Sequence, residues 1–303
     1  LFRSAMAIGA CHLLTTHADR LKGNVVVWFQ PGEEGHGGAD VMLEEGLHLV
    51  SGQKPIAAYG IHVFSAYPLG MFGSRPGPLM ASAGGMTVTF KGQGGHGSMP
   101  WLSKDPISPM LEAAQALQTL VTKQISTFEP AVINIGWSKA GDDHTENVIP
   151  ETAQFGATIR TFSQEITDTI KTGVTQLVDS IAKAHGVTGE VEFHPFTKVL
   201  VNDHAAVERT KRIVDDAFGK LPNGGSRFVD LQHPITGGED FASIVEEIPG
   251  AFIFMGACPP DRDHTKAETN HSNKAVFDDS TLSQGSALLA ALAFDTLDEA
   301  ARS

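Results

Sequence analysis

Asn24-Val-Val-Val-Trp-Phe-Gln30 is a continuous β-branched and aromatic run, the pattern of a strand buried on both faces. Pro31-Gly-Glu33-Glu34-Gly-His-Gly-Gly38 follows as a turn, and Ala39 to Glu45, closed by Gly46, reads as a helix. A second apolar run from Ala57 to Phe64 completes a strand-helix-strand alternation, which predicts an α/β fold built on a mostly parallel sheet.

Working outward, Phe2, Ala5, Met6, Gly9 and Leu13 set the period of a helix that runs to about His17. Leu1 falls straight into this period with no initiating Met, so the chain reads as cropped. Beyond Gly85 the texture changes. Met86 to Lys91 alternates, a helix spans Ile107 to Lys123, and strands cover Ala131 to Ser138 and Glu151 to Phe162. A second helix from Gln164 to His185 and a strand from Glu190 to His194 complete a split βαβ, ferredoxin-like pattern. Residues 84–195 are therefore expected to form an inserted α+β domain. The α/β domain is divided into 1–83 and 196–303, its second part holding helices at Ala205 to Phe218 and Phe241 to Glu247, a strand at Ala251 to Met255 and a closing helix from Ser280.

The 303 residues carry 22 Lys and Arg against 35 Asp and Glu, a formal charge of −13. With no basic run, such a chain repels phosphate backbones and anionic lipid heads, which excludes nucleic acid and membrane surface as partners. Val25 to Phe29 and Ala287 to Phe294 are the longest apolar runs, far short of the roughly 20 residues of a bilayer span. Two cysteines, Cys11 and Cys258, make no disulfide framework, and the cytoplasm is the expected compartment.

The adjacent carboxylates of Glu33 and Glu34 fall where a strand gives way to a helix, the crevice in which open α/β sheets bind ligands. Radiating from a first helical turn, they can serve as a hard oxygen ligand and as a base; equally, they can be acids favoured by the helix dipole. His62 lies in the C-terminal half of the next apolar run, where an imidazole finds a hydrogen-bond partner or binds something. His271, in a polar loop, is a third candidate beside the two Glu and His62 for a zinc-type His/Glu set. Gly92-Gln-Gly-Gly-His96-Gly97 matches G-x-G-x-x-G, but Pro100 and Pro106 deny it the helix a dinucleotide site requires. His96 then stands on a flexible glycine turn suited to reaching a substrate. Arg160, at a strand end, suits a substrate carboxylate, which a guanidinium binds in bidentate fashion. Asp240, in Gly237-Gly-Glu-Asp240-Phe, reads first as the cap of the helix it precedes.

In order, Gln30-Pro-Gly-Glu-Glu34-Gly, Gly60-Ile-His62, Arg75-Pro-Gly-Pro-Leu-Met-Ala-Ser82, Gly95-His-Gly-Ser-Met-Pro100, Asn147-Val-Ile-Pro150, Arg160-Thr-Phe162, Gly237-Gly-Glu-Asp-Phe241 and His271-Ser resemble the M20 metallopeptidases. The resemblance is strongest to the amidohydrolase branch of hippurate hydrolases, N-acyl-amino-acid deacylases and auxin-conjugate hydrolases. It implies a metallohydrolase domain with a lid that dimerises, two divalent ions (Zn, Mn or Co) per full-length subunit, and hydrolysis of a small N-acyl amino acid by a homodimer. Carried over residue by residue, it gives Glu33 as general base and Glu34, His62 and His271 as metal ligands. His96, Asn147 and Arg160 become lid groups that touch the scissile carbonyl or substrate carboxylate, with His96 acting in the partner's site. The family's Cys-Gly-His-Asp motif, source of two further ligands, is expected just upstream of Leu1, and Cys11-His12 lacks its spacing. The competing expectation is an inactive homologue or fragment that serves as a dimerising binding protein.

Overall fold

The structure is a computed structural model, and it describes residues 2–221 and 224–302; Leu1, on which the reading of a cropped start rests, lies outside them. In chain order the elements begin with α1 (Phe2–Thr16), α2 (Gly38–Glu44), β1 (Ala58–Pro68), β2 (Phe72–Ser74), β3 (Gly77–Met80), β4 (Ser82–Lys91) and β5 (Gly95–His96). They continue with α3 (Ile107–Gln124), β6 (Ala131–Ala140), β7 (Val148–Ile149), β8 (Thr152–Thr161), α4 (Gln164–Ala184) and β9 (Thr188–Phe193). The last are β10 (Leu200–Asn202), α5 (His204–Ala217), β11 (Phe228–Asp230), α6 (Phe241–Glu247), β12 (Gly250–Cys258) and α7 (Thr281–Ala300). They group into two compact units: Leu1–Leu79 with Leu200–Ile235 and Asp240–Ser303, and Met80–Val199 with Thr236–Glu239.

The first unit holds a four-stranded sheet in the order β1-β12-β2-β11. β1 runs parallel to β12 and β11 parallel to β2, while β12 and β2 are antiparallel. β12 is buried at every position, as a central strand of unbroken apolar sequence must be. On β1, Ile61, Val63 and Ser65 are buried on one face, and the period of two sends Gly60, His62 and Phe64 to the other. Met6, Phe72, Val207, Val214, Ile253, Met255, Leu288 and Leu292 fill the core between sheet and helices. α1 lies close on α7, with Gly9 against Ser286 and Gly285 against Met6.

Asn24 to Gln30 is not the doubly buried strand its composition predicts. It is irregular and only partly buried, and no strand among the described residues pairs with it. β propensity expresses packing against neighbours, and without a neighbouring strand the run has no ladder to join. β2, β3, β10 and β11 escaped the sequence reading because three or four residues are too few to establish a period of two.

The second unit is an antiparallel sheet in the order β6-β8-β4-β9. This is the spatial order of the split βαβ pattern, with α3 and α4 covering one face through Met110, Leu117, Ile170, Val174 and Val178. Asp105 starts α3, accepting the amides of Ile107 at 2.9 Å and Ser108 at 3.2 Å.

Candidate active site

The acidic pair sits on the turn before α2 and not on its first helical turn as expected. Gly32, Gly35 and Gly37 all have positive φ (71°, 82° and 62°), a conformation that cannot propagate a right-handed helix, so α2 begins only at Gly38. There the backbones touch: a Cβ on Gly38 would lie 1.7 Å from the Pro31 carbonyl oxygen. Asp240 pins both ends of this turn. Its buried carboxylate accepts from Gln30 Nε2 at 2.7 and 2.8 Å and from the Ala39 amide at 3.0 Å. It makes no side-chain cap on α6, which corrects its predicted role; the first-turn amide it satisfies belongs to α2.

The pinned turn leaves Glu33 half-buried and Glu34 exposed. Burial raises the Glu33 carboxyl above its ordinary value of 4.5, the charges of Glu34 and Asp240 add to this, and Arg3, whose Nη2 lies 3.5 Å from Oε2, opposes it. His62 stands in an aromatic surround, with ring centroids 4.7 Å from Phe64 and 6.3 Å from both Phe252 and Phe254. Desolvation there, helped by the positive charge of Arg3 and by His271, lowers its pKa to about 4, so the imidazole is neutral at pH 7. Its Nδ1 is buried with no hydrogen-bond partner among the described residues. Such an atom costs free energy unless something binds it.

Glu33, Glu34, His62 and His271 thus share one unit, and Glu33 with Glu34 and His62 with His271 feel each other's charge. The ligand atoms of Glu34, His62 and His271 do not close on one point. Among the described residues only Asp142, Asp143 and His144 bring three such atoms within 4.8 Å, all exposed. Asp142 alone of the three lines an open cavity of about 360 Å³, which contains no predicted site residue.

His96, Asn147 and Arg160 belong to the second unit. β5 pairs with β7, placing His96 opposite Val148, and the Gly97 amide donates to the Asn147 carbonyl at 2.7 Å. The glycines here serve close packing rather than the expected flexibility: a Cβ on Gly92 would lie 2.0 Å from the Lys104 carbonyl and one on Gly97 3.2 Å from that of Asn147. Nδ1 of His96 accepts the Ser98 amide at 3.1 Å, which leaves the proton of the neutral ring on Nε2. Arg160, expected at a strand end as a carboxylate clamp, is half-buried. Its Nη1 donates to Thr158 Oγ1 and the Ile159 and Gly84 carbonyls, desolvation lowers its pKa, and it has no carboxylate partner among the described residues.

Residues 3–295 match peptidase family M20/M25/M40 along nearly the whole chain. The chain belongs to this family. M20 membership makes it a hydrolase, and its similarity extends to proteins of known name. A thermostable carboxypeptidase 2 of Saccharolobus solfataricus is 33% identical over 293 residues, covering 95% of this chain and 70% of the relative. An N-acetylcysteine deacetylase of Bacillus subtilis is 34% identical over 272 residues, or 88% of this chain and 67% of that enzyme. Among solved structures, the Bacillus subtilis YXEP protein, described as a dinuclear metal binding peptidase from the M20 family, superposes with a TM-score of 0.78 at 28% identity, over 98% of this chain and 72% of that one.

Arg3 and the Gln30–Asp240 bridge were missed from sequence, since each acts over a separation that no local spacing encodes. Asn270, beside His271, carries no motif of its own in the sequence.

Proposed function

We propose that the protein hydrolyses the amide bond of N-acyl amino acids, with Glu34, His62 and His271 holding a divalent metal and Glu33 acting as general base. The observation that carries this reading is the unpartnered, buried Nδ1 of a neutral imidazole in the same unit as a half-buried, raised carboxyl. Neutral imidazoles and a carboxylate form the nitrogen and oxygen donor set that zinc, manganese and cobalt accept, so the residues fit the group. When bound, the metal supplies Lewis-acid polarisation of a carbonyl and a water of lowered pKa.

The protein's own groups do the rest. Glu33, whose pKa burial raises, takes a proton in its deprotonated form from the attacking water and returns it to the leaving amine. His96 offers an Nε2 proton to the oxygen on which negative charge develops. Arg160, fixed through Nη1, keeps unpaired charge for the α-carboxylate of the substrate. The names of the carboxypeptidase and deacetylase relatives both describe a hydrolysis that frees an amino acid, which fits a site selecting for that carboxylate.

The outer strand of the second unit supports a homodimer through that unit. β6 leaves Val132 and Trp137 47% and 48% exposed, and Phe128 just before it is 92% exposed. An unpaired edge bearing large apolar groups is normally covered. The competing reading, a binding protein without turnover, draws on the three ligands not converging. A panel of N-acetyl, N-benzoyl and indole-acetyl amino acids, with matched amides lacking the carboxylate, separates the two in Zn²⁺, Mn²⁺ or Co²⁺. Metal-dependent turnover restricted to the carboxylate-bearing compounds is expected. Ligand binding without turnover supports the binding protein, and turnover indifferent to a chelator refutes the metal site.

A further inference from the structure

We propose that Asn270 is a positioning residue that clamps the His271 loop to the edge of β1 and holds the His271 backbone in its left-handed conformation. The inference deepens the proposed function, resting on it for the role of His271 as a ligand.

The clamp is a side-chain amide standing where a strand would be. Asn270 Nδ2 donates to the Val63 carbonyl at 2.7 Å, and the Ser65 amide donates to Asn270 Oδ1 at 3.0 Å. Bonding to the carbonyl of one residue and the amide two positions on is what a parallel neighbour does opposite the residue between, here Phe64. β1 pairs with β12 alone among the described strands, so its other edge is open to such a substitute. The hydroxyl of Ser65, a residue only 1% exposed, adds bonds to Asn270 Oδ1 at 3.1 Å and the Glu268 carbonyl at 2.7 Å. Turning the Asn270 amide over would set donor against donor and acceptor against acceptor, so its orientation is fixed.

The residue that follows needs holding. His271, at φ 70°, is the one non-glycine residue with positive φ among the described residues. It is the third residue of a turn closed by the Ser272 amide on the Thr269 carbonyl at 3.2 Å, a position that in turns of this kind favours glycine. A histidine kept there against its backbone preference persists only if its surroundings over-determine it, and such strain gathers at functional sites. The clamped carbonyl and amide flank Phe64 on the strand that carries His62, so one carboxamide fixes the loop of one imidazole to the backbone of the other.

The test compares wild type with Asn270→Ala, Asn270→Asp and Ser65→Ala. Zinc affinity is read by competition with a chromophoric chelator, and the His271 amide–Cα proton coupling is read by NMR in the metal-free protein. Wild type should show the coupling of a positive φ. Asn270→Ala should lose it and weaken zinc binding on the order of 10- to 100-fold, the usual effect of removing a group that orients a ligand. Asn270→Asp, which keeps the acceptor for Ser65 and loses the donor to Val63, should fall between, and Ser65→Ala should weaken binding least. An Asn270→Ala protein with unchanged coupling overturns the clamp, and one with altered coupling but wild-type zinc affinity overturns the positioning role. Should Asn270→Ala not fold, wild-type zinc affinity in a folded Asn270→Asp overturns the proposal in its place. If wild type binds no zinc while its coupling still depends on Asn270, the clamp is upheld and the metal reading fails.

Discussion

A buried imidazole nitrogen without a partner is relieved by losing its proton or by gaining a ligand, and His62 is built for both. In metal-free protein its ring should titrate near 4 by ¹H–¹⁵N NMR; a midpoint at the ordinary 6.5 would contradict the burial argument. The sign for stability follows, because the unfolded chain takes up the proton first as pH falls. The contribution of His62 is full above pH 6.5 and lost as pH falls toward 4. Glu33 acts oppositely in catalysis: it is competent only when deprotonated, so the rate should rise with pH through a value above the ordinary 4.5. Glu33, Glu34 and His62 were singled out in the sequence by residue type beside apolar runs, although the run ahead of the two acids forms no strand and His62 lies within β1 rather than at its end. Asn270 was not, since its importance lies in two backbone bonds made some two hundred positions away, and Asp240 was assigned to the nearer helix when the amide it satisfies belongs to a distant one.

At the scale of elements, periodicity was enough for the long helices and for the four-stranded sheet of the second unit, where α3 and α4 each bury a stripe at helical spacing against alternating strands, but not for the short pair β5 and β7. It failed at Asn24 to Gln30, where composition is that of a strand but no partner supplies a ladder, and at the three-residue strands. Helix starts were legible only in part. The cap of α3 is Asp105, ahead of Pro106, and burial, which works against its charge, is outweighed by hydrogen bonds from Ser108 and from the Ile107 and Ser108 amides, so its pKa is lowered. Asp105→Ala should therefore cost about 1 kcal/mol in urea unfolding at pH 7. A carboxyl held below its unfolded value of 3.8 stabilises above that value and ceases to as pH falls through the folded one, so the cost should shrink toward pH 2. A cost unchanged at pH 2 would mean that lost packing, and not capping, is being measured.

For the whole molecule, the two units divide the candidate groups between them, with Glu33, Glu34, His62 and His271 in one and His96, Asn147 and Arg160 in the other. If His96 serves the active site of a partner subunit, complementation follows. Mixing inactive His96→Ala with inactive Glu33→Gln under subunit exchange should restore about a quarter of wild-type activity, since half of random dimers are mixed and each of those has one intact site. No recovery despite proven exchange would place His96 in its own subunit's chemistry or outside it. The central claim is a division of labour between adjacent carboxylates, which sequence pointed to and which the half-buried Glu33 beside the exposed Glu34 supports. It is tested most directly by measuring metal content and turnover together in Glu33→Gln and Glu34→Gln. Glu33→Gln should stay loaded and lose turnover by on the order of 10² to 10⁴, the worth of a positioned general base, while Glu34→Gln should lose metal as well. Equal loading of the two variants, or Glu33→Gln turning over near the wild-type rate, would contradict the account.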